Sequence, residues 1–290
     1  MKEKLQYYAQ LIRLDRPIGI YLLLWPTLWG LWVASKGVPE FKLLIIFTLG
    51  VILMRSAGCA INDYADREIH RHVERTKLRP LAAGKITAKE ALGVFAVLSL
   101  VAFFLVLQLN TYTIFLSFVA VLLAASYPFM KRFHSLPQLH LGAAFAWAIP
   151  MGFTAVNTEA PPLEAWLLFI ATLLWTIAYD TIYALSDKAD DLKIGVKSSA
   201  ILFGKYDKLI IALLQSFTIF ILIWAGYLIG FGVYYYISLL IATLLFIYQH
   251  KMIKDREPVR CLQAFLHNNW VGMAIFIGIF VDYFLSESYV

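Results

Sequence analysis

The sequence predicts an all-α integral membrane protein. Three observations carry that prediction. Of the 290 residues, 61% are apolar and only 15% are charged, whereas about a quarter of an average soluble domain is charged. The mean hydropathy is +0.71. The apolar residues gather into long runs, and the Lys and Arg residues collect between those runs on one side.

A helix needs roughly 17 to 25 apolar residues to cross about 30 Å of hydrocarbon. Nine runs meet that need: 17–35, 43–60, 91–109, 112–130, 139–156, 164–186, 208–230, 233–250 and 264–285. Lipid offers no partner for backbone polar groups, so each run is expected to be helical. None shows the alternation of a lipid-facing barrel strand. Trp25, Trp29 and Trp32 in the first run, and Trp166 in the sixth, are expected as interfacial anchors. Gly226 and Gly230 in the seventh form a G-x-x-x-G pattern expected at a helix contact. An apolar span ending in an acidic cluster occurs twice, at 43–70 and at 164–191.

Charge orients the runs. With the N-terminus in the cytoplasm, 22 of the 25 Lys and Arg residues lie inside and only Lys36 and Lys42 lie outside. Arg55 falls within the second run, where a cation needs a partner or an anion to bind. The C-terminus is then on the outer side. The inner loops are long and charged, so chemistry is expected at the cytoplasmic mouth. The net charge of +6 is explained by orientation, and no nucleic-acid partner is expected. Membrane lipid is. Cys59 and Cys261 offer no disulfide framework and no zinc spacing. The opening "MKEKLQYYAQLIRLDRP" has neither a short apolar core with a cleavage site nor an Arg-rich, acid-poor character. No cleavable signal is expected, and a bacterial membrane is favoured.

The two acidic clusters carry the chemistry. In a helix, Asn62, Asp66 and His70 share one face, with Asp63 beside them. Asp180, Tyr183, Asp187 and Asp191 share a stripe on the other segment. Hard oxygen donors of this kind suit Mg²⁺, which keeps water and accepts substrate phosphates as further ligands. Bases follow each set: Arg71, Arg75 and Arg79 after the first, Lys193 and Lys197 after the second, and Lys131 and Arg132 from a third inner loop. Carboxylates for metal beside cations for phosphate oxygens describe a diphosphate site. Its place at the mouth of an apolar bundle points to a lipid diphosphate. A zinc site from Cys59, His70 and His72 is disfavoured by spacing and by the oxygen-rich surroundings.

At these residues the chain resembles the UbiA superfamily of intramembrane aromatic prenyltransferases. That superfamily carries N-D-x-x-D-x-x-x-D and D-x-x-x-D motifs on separate cytoplasmic helical segments. "NDYADREIH" (62–70) matches the first except at its last position, where His70 stands in place of Asp. "DKADD" (187–191) matches the second. The strings "RLDRPIGIYLLLWPTLWGLW" (13–32), "RSAGCAINDYADR" (55–67), "VERTKLRPL" (73–81), "YPFMKR" (127–132), "LPQLHLGAAFAWAIPM" (136–151), "YDTIYALSDKADDLKIGVKSSAILFGKYDK" (179–208) and "NNWVGM" (268–273) extend the likeness nearly end to end. They resemble the subfamily that prenylates 4-hydroxybenzoate in ubiquinone biosynthesis.

The resemblance implies nine transmembrane helices around a central cavity, with cytoplasmic helical segments capping it. It implies one prenyltransferase domain over 1–290, with the motifs in cytoplasmic loops 61–90 and 187–207, in a bacterial inner membrane. Asn62 and Asp66 would hold one Mg²⁺ and Asp187 and Asp191 a second, with Asp63 and Asp190 supporting. Arg75, Arg79, Lys131 and Arg132 would hold the diphosphate of polyprenyl diphosphate, and by charge placement Arg71 and Lys193 are expected to face it too. Asp180 and Tyr183 would lie near the 4-hydroxybenzoate acceptor, and Arg132 or Arg55 would take its carboxylate. Either Asp180 or the released diphosphate would remove the ring proton. His70 is expected outside the metal's immediate ligands, because imidazole serves Mg²⁺ poorly.

Other readings remain distinguishable. A cation-coupled transporter would place its acidic groups near the bilayer midplane on broken helices, not at span ends. A lipid-binding assembly protein would bind lipid diphosphate without metal. A family member for another acceptor would prefer a naphthoate, haem or a chlorophyll precursor.

Overall fold

A computed structural model describes residues 2–71 and 76–285. The side chains of Lys2, Ile69 and His70 lie outside that description, as do Arg75 and His72 entirely. Among the described residues, thirteen α-helices follow in order: α1 (Lys2–Leu11), α2 (Ile18–Ala34), α3 (Phe41–Ala65), α4 (Arg67–His70), α5 (Ala88–Val106), α6 (Thr111–Ser126), α7 (Pro137–Ala146), α8 (Ala148–Asn157), α9 (Leu163–Ile194), α10 (Ser199–Phe203), α11 (Asp207–Ile229), α12 (Val233–Met252) and α13 (Pro258–Leu285). Short 3₁₀ turns occupy Tyr127–Arg132 and Gly204–Tyr206. No strand occurs among the described residues.

Among the described residues, eight helical stretches are long and apolar enough to cross a membrane. The first expected span is the shorter apolar helix α2, of 17 residues. At 1.5 Å per residue it is about 26 Å long, near the lower limit for the hydrocarbon core. The fifth expected span is broken at Trp147 between α7 and α8. Pro150 explains the break, since it has no N–H to offer the carbonyl of Ala146 one turn before.

Both acidic motifs prove to be continuations of spans. Helix α3 runs through Ala65, so Asn62 and Asp63 belong to its last turn and Asp66 closes it, donating its N–H to the Asn62 carbonyl at 3.0 Å. Helix α9 runs 32 residues, to Ile194, so the expected loop 187–207 opens as helix. Nothing between 187 and 194 breaks a helix. The stop comes at Gly195, whose φ of +72° suits glycine and whose N–H bonds the Asp191 carbonyl.

Helix α9 is the hub and packs against α2, α7, α8, α11 and α13. Trp29 and Trp175 stack at 5.4 Å in the core. Trp29 is fully buried and donates to the Gly272 carbonyl at 3.1 Å, and Trp32 is buried too. These two tryptophans are therefore core residues, not interfacial anchors: α2 lies between α8 and α13. Asn268 and Asn269 of α13 accept from Trp175 and Trp25, both at 2.9 Å. Of the G-x-x-x-G pair, Gly226 lies against the Tyr235 ring, while Gly230 ends α11 at φ +85°. Helices α5 and α6 stand at the periphery with few buried side chains.

Between α3, α5, α6 and the α7–α8 pair lies a cavity of about 610 Å³. Its wall is almost wholly apolar, with Phe47, Met54, Phe103 and Phe145 among the lining residues. Arg55 and Tyr127 are exceptions on that wall.

Candidate active site

The last turn of α3 is enclosed by cations drawn from other segments. Asp63 is 1% exposed and accepts from Arg13 Nη2 at 3.0 Å and from Arg79 Nη1 at 2.8 Å. Asp66 is 2% exposed and is paired with Lys131 Nζ from the 3₁₀ turn after α6. The neighbouring Arg132 donates to the Ala65 carbonyl at 2.6 Å and lies over the Phe129 ring. Burial pushes the Asp66 carboxyl above its usual range, although Lys131, Arg132 and Arg79 all pull the other way.

Arg13 was counted in the sequence only as an orienting charge, and the structure gives it more to do. It reaches Asp63 from the loop after α1, at φ +56°, a conformation few non-glycine residues adopt. Helix α1 is held in place through Glu90 of α5, which pairs with Lys4 at 2.6 Å and accepts from Tyr8 at 2.9 Å. Burial disfavours the charge on Arg13, but the Asp63 carboxylate against it keeps the guanidinium protonated. Cys59 of α3, Tyr183 of α9 and Tyr127 of the 3₁₀ turn also lie within electrostatic range of it.

The second motif presents itself differently. Asp187 and Asp191 are half-buried along the end of α9. Asp190 turns toward Lys193, 3.2 Å away, and Lys193 is 74% exposed. Arg71 is likewise exposed and pairs with Glu68 at 2.9 Å. Arg75 lies outside the described residues.

A polar group of side chains joins the motifs to the cavity. Arg55 lies within electrostatic range of Asp180, and Tyr127 within range of both Arg55 and Asp66. The Arg55 guanidinium donates to Cys59 Sγ, while its Nε is buried with no hydrogen-bond partner. It lies directly on Gly19 of α2: a Cβ there would come within 2.1 Å of Nε. Gln138 of α7 faces Asp180, and its Oε1 is buried without a partner. Tyr183 packs on Phe265, with ring centroids 4.8 Å apart. Sequence patterns did not single out Gln138; its only signal was being a lone amide after Pro137 at the start of an apolar run.

Among the described residues, no three His, Cys, Asp or Glu side chains stand together ready to hold a metal ion. The donor set nevertheless fits a hard divalent cation. Asn62 and Asp66 lie one turn apart on α3, Asp187 and Asp191 one turn apart on α9, and all four offer oxygen.

Fold and site together describe a helical membrane protein with an apolar cavity beside buried, ion-paired carboxylates at its span ends. The chain belongs to the UbiA prenyltransferase family, whose sequence model matches residues 23–273. It is 59% identical over 278 residues to the 4-hydroxybenzoate octaprenyltransferase of Ectopseudomonas mendocina, covering 96% of this chain and 94% of that one. Its fold is similar to the apo structure of a UbiA homolog from Aeropyrum pernix K1, with a TM-score of 0.80 and 30% identity, covering 91% of this chain and 97% of that one. It also matches a UbiA homolog from Archaeoglobus fulgidus bound to GPP and Mg²⁺, at TM-score 0.70 and 18% identity, covering 95% and 99%. That last likeness speaks to the fold alone.

Proposed function

We infer that this chain, as a single prenyltransferase domain, transfers the polyprenyl group of a polyprenyl diphosphate to 4-hydroxybenzoate. The transfer goes to the ring carbon ortho to the hydroxyl, a step of ubiquinone biosynthesis. One observation carries the reading. An apolar cavity of about 610 Å³ has Arg55 and Tyr127 on its wall, beside Asp180 and the cation-ringed Asp66. The near-full-length likeness to a 4-hydroxybenzoate octaprenyltransferase supports the choice of acceptor.

The prenyl tail lies in the cavity and its diphosphate at the cytoplasmic mouth. Arg79, Lys131 and Arg132 face that diphosphate from the α3 side, with Arg75 and Arg71 on the same chain segment and Lys193 on the α9 side. Two Mg²⁺ would be held by Asn62 and Asp66 on one side and Asp187 and Asp191 on the other, with Asp63 and Asp190 supporting. Bound there, Mg²⁺ would supply positive charge to stabilise the leaving diphosphate. The allylic C–O bond breaks, and the diphosphate leaves with the electron pair. The ortho carbon of the acceptor then attacks the allylic cation. Asp180, oriented by Gln138, or the released diphosphate takes the ring proton and aromaticity returns. Arg55 or Arg132 holds the acceptor carboxylate, and Tyr183 lines the acceptor's position. The apolar wall keeps water from the cation. In this reading α2 and the eight longer apolar stretches make nine spans. The N-terminus is cytoplasmic, the C-terminus lies on the outer side, and the protein sits in a bacterial inner membrane.

A competition assay tests the acceptor. Purified protein receives one polyprenyl diphosphate with equal 4-hydroxybenzoate and a dihydroxynaphthoate. The expected product is prenylated 4-hydroxybenzoate; a dominant naphthoate product would move the chain to another branch of the family.

A further inference from the structure

Lys188 lies inside the second acidic motif, between Asp187 and Asp190–Asp191. An ammonium there is a hazard for a cation site. Residues three apart on a helix are neighbours, so Lys188 lies within range of Asp191. The same stretch of α9 already makes one such pair, Lys193 with Asp190. A lysine bound to Asp191 would have to be displaced before a divalent ion could use that carboxylate in full.

The structure directs this side chain elsewhere. Lys188 Nζ lies 3.4 Å from Asp207 Oδ2 and 3.3 Å from the Gly204 carbonyl, on the side of α9 facing α11. Asp207 is fully buried. Arg256 Nε donates to its two oxygens at 3.1 and 2.9 Å, and Arg256 Nη2 donates to Oδ1 at 2.7 Å. The Lys208 N–H donates at 2.6 Å. A carboxylate enclosed by two cations and a backbone donor remains charged. Arg256 reaches it from the turn before α13 at φ +57°, so the chain accepts an uncommon backbone conformation to make this contact. Beneath lie Ile211, Ile253 and Cys261, all fully buried, so apolar packing joins these helix ends independently of the ions. Arg256 already supplies the carboxylate with a bidentate partner. The longer Lys188 contact is not needed to satisfy Asp207. Its consequence falls on Lys188.

We propose that Asp207 is a positioning residue that draws the Lys188 ammonium away from Asp187 and Asp191 and so keeps the second motif able to take a divalent cation. The proposal rests on the reading that Asp187 and Asp191 are cation ligands.

The test counts bound Mn²⁺ on detergent-purified protein by the electron paramagnetic resonance signal of free Mn²⁺, without substrate. Asp207→Asn is expected to weaken Mn²⁺ binding about tenfold, the scale of outer-sphere changes at metal sites. The double variant Asp207→Asn with Lys188→Met should return to within about threefold of the wild type. Arg256→Met should also stay within about threefold, because Asp207 still holds Lys188. A role confined to packing predicts the reverse: no recovery in the double variant, and loss in Arg256→Met. Wild-type binding by Asp207→Asn, or a double variant as weak as the single, overturns the proposal. If Asp207→Asn does not fold, Lys188→Met alone decides. Equal or tighter binding supports the proposal, and binding about tenfold weaker overturns it. Asp191→Ala separates the two levels. If it binds Mn²⁺ like the wild type, the cation reading falls and takes the proposal with it. If it loses Mn²⁺ while Asp207→Asn retains it, the proposal alone falls.

Discussion

The two acidic motifs look alike in sequence and differ in their surroundings. At the end of α3, Asp63 and Asp66 are 1% and 2% exposed, and their charges are met by Arg13, Arg79 and Lys131 from three separate segments. At the end of α9, Asp187 and Asp191 are half-buried on a helix that projects past its apolar stretch. A buried carboxylate needs cations built around it, and the first motif has them before any ligand arrives. The second motif has its adjacent lysine held on another face by Asp207. The first end is thus a buried network of paired charges, and the second is a half-buried carboxylate set whose adjacent lysine is held on another face.

Five substitutions would break or sharpen that contrast. The largest effect is expected where both ends converge on one reaction. Asp66→Ala and Asp191→Ala should each lower prenyl transfer by at least about a thousandfold while the protein still elutes as a folded species in detergent. Retained activity in either would remove that end from the chemistry. Next comes Arg55→Leu, deeper than both motifs. It should raise KM for 4-hydroxybenzoate about 10- to 100-fold with little change in KM for the polyprenyl diphosphate. Equal rises in both would place Arg55 with the diphosphate. Asp63→Asn should cost about tenfold in activity and speed proteolytic cleavage near Arg13, because Arg13 and Arg79 both lose their shared carboxylate. Wild-type cleavage would show that the N-terminal segment is held by other contacts. The smallest effect is expected from Gly19→Ala. Its methyl would meet Arg55 Nε and displace the guanidinium, raising the acceptor KM about three- to tenfold. An unchanged KM would mean that Arg55 tolerates the shift.

Much of the architecture was legible because lipid leaves few choices. Long apolar runs became helices, and the acidic clusters fell at span ends. The carboxylates Asp63, Asp66, Asp187 and Asp191 stood out because charge is rare in this chain. What stayed hidden depends on neighbours distant in sequence. Trp29 and Trp32 read as interfacial by residue type, but α8 and α13 cover them. The helical extension 187–194 was hidden because its charges resemble those of a loop, although nothing in it ends a helix before Gly195. Arg13 looked like one of many inner cations, and only folding brought it 50 residues along the chain to Asp63. The hub at Asp207 joins α9, α11 and the turn before α13, which no local pattern announces.

The central claim is that an anionic head group held by these two helix ends, with a divalent cation, presents its prenyl tail to 4-hydroxybenzoate. Its most direct test is product formation by the purified protein in nanodiscs with polyprenyl diphosphate and 4-hydroxybenzoate, in Mg²⁺ and then in excess EDTA. The account predicts prenylated 4-hydroxybenzoate in Mg²⁺ and none in EDTA, with activity restored when Mg²⁺ is added back. Product formed equally well in EDTA would contradict it.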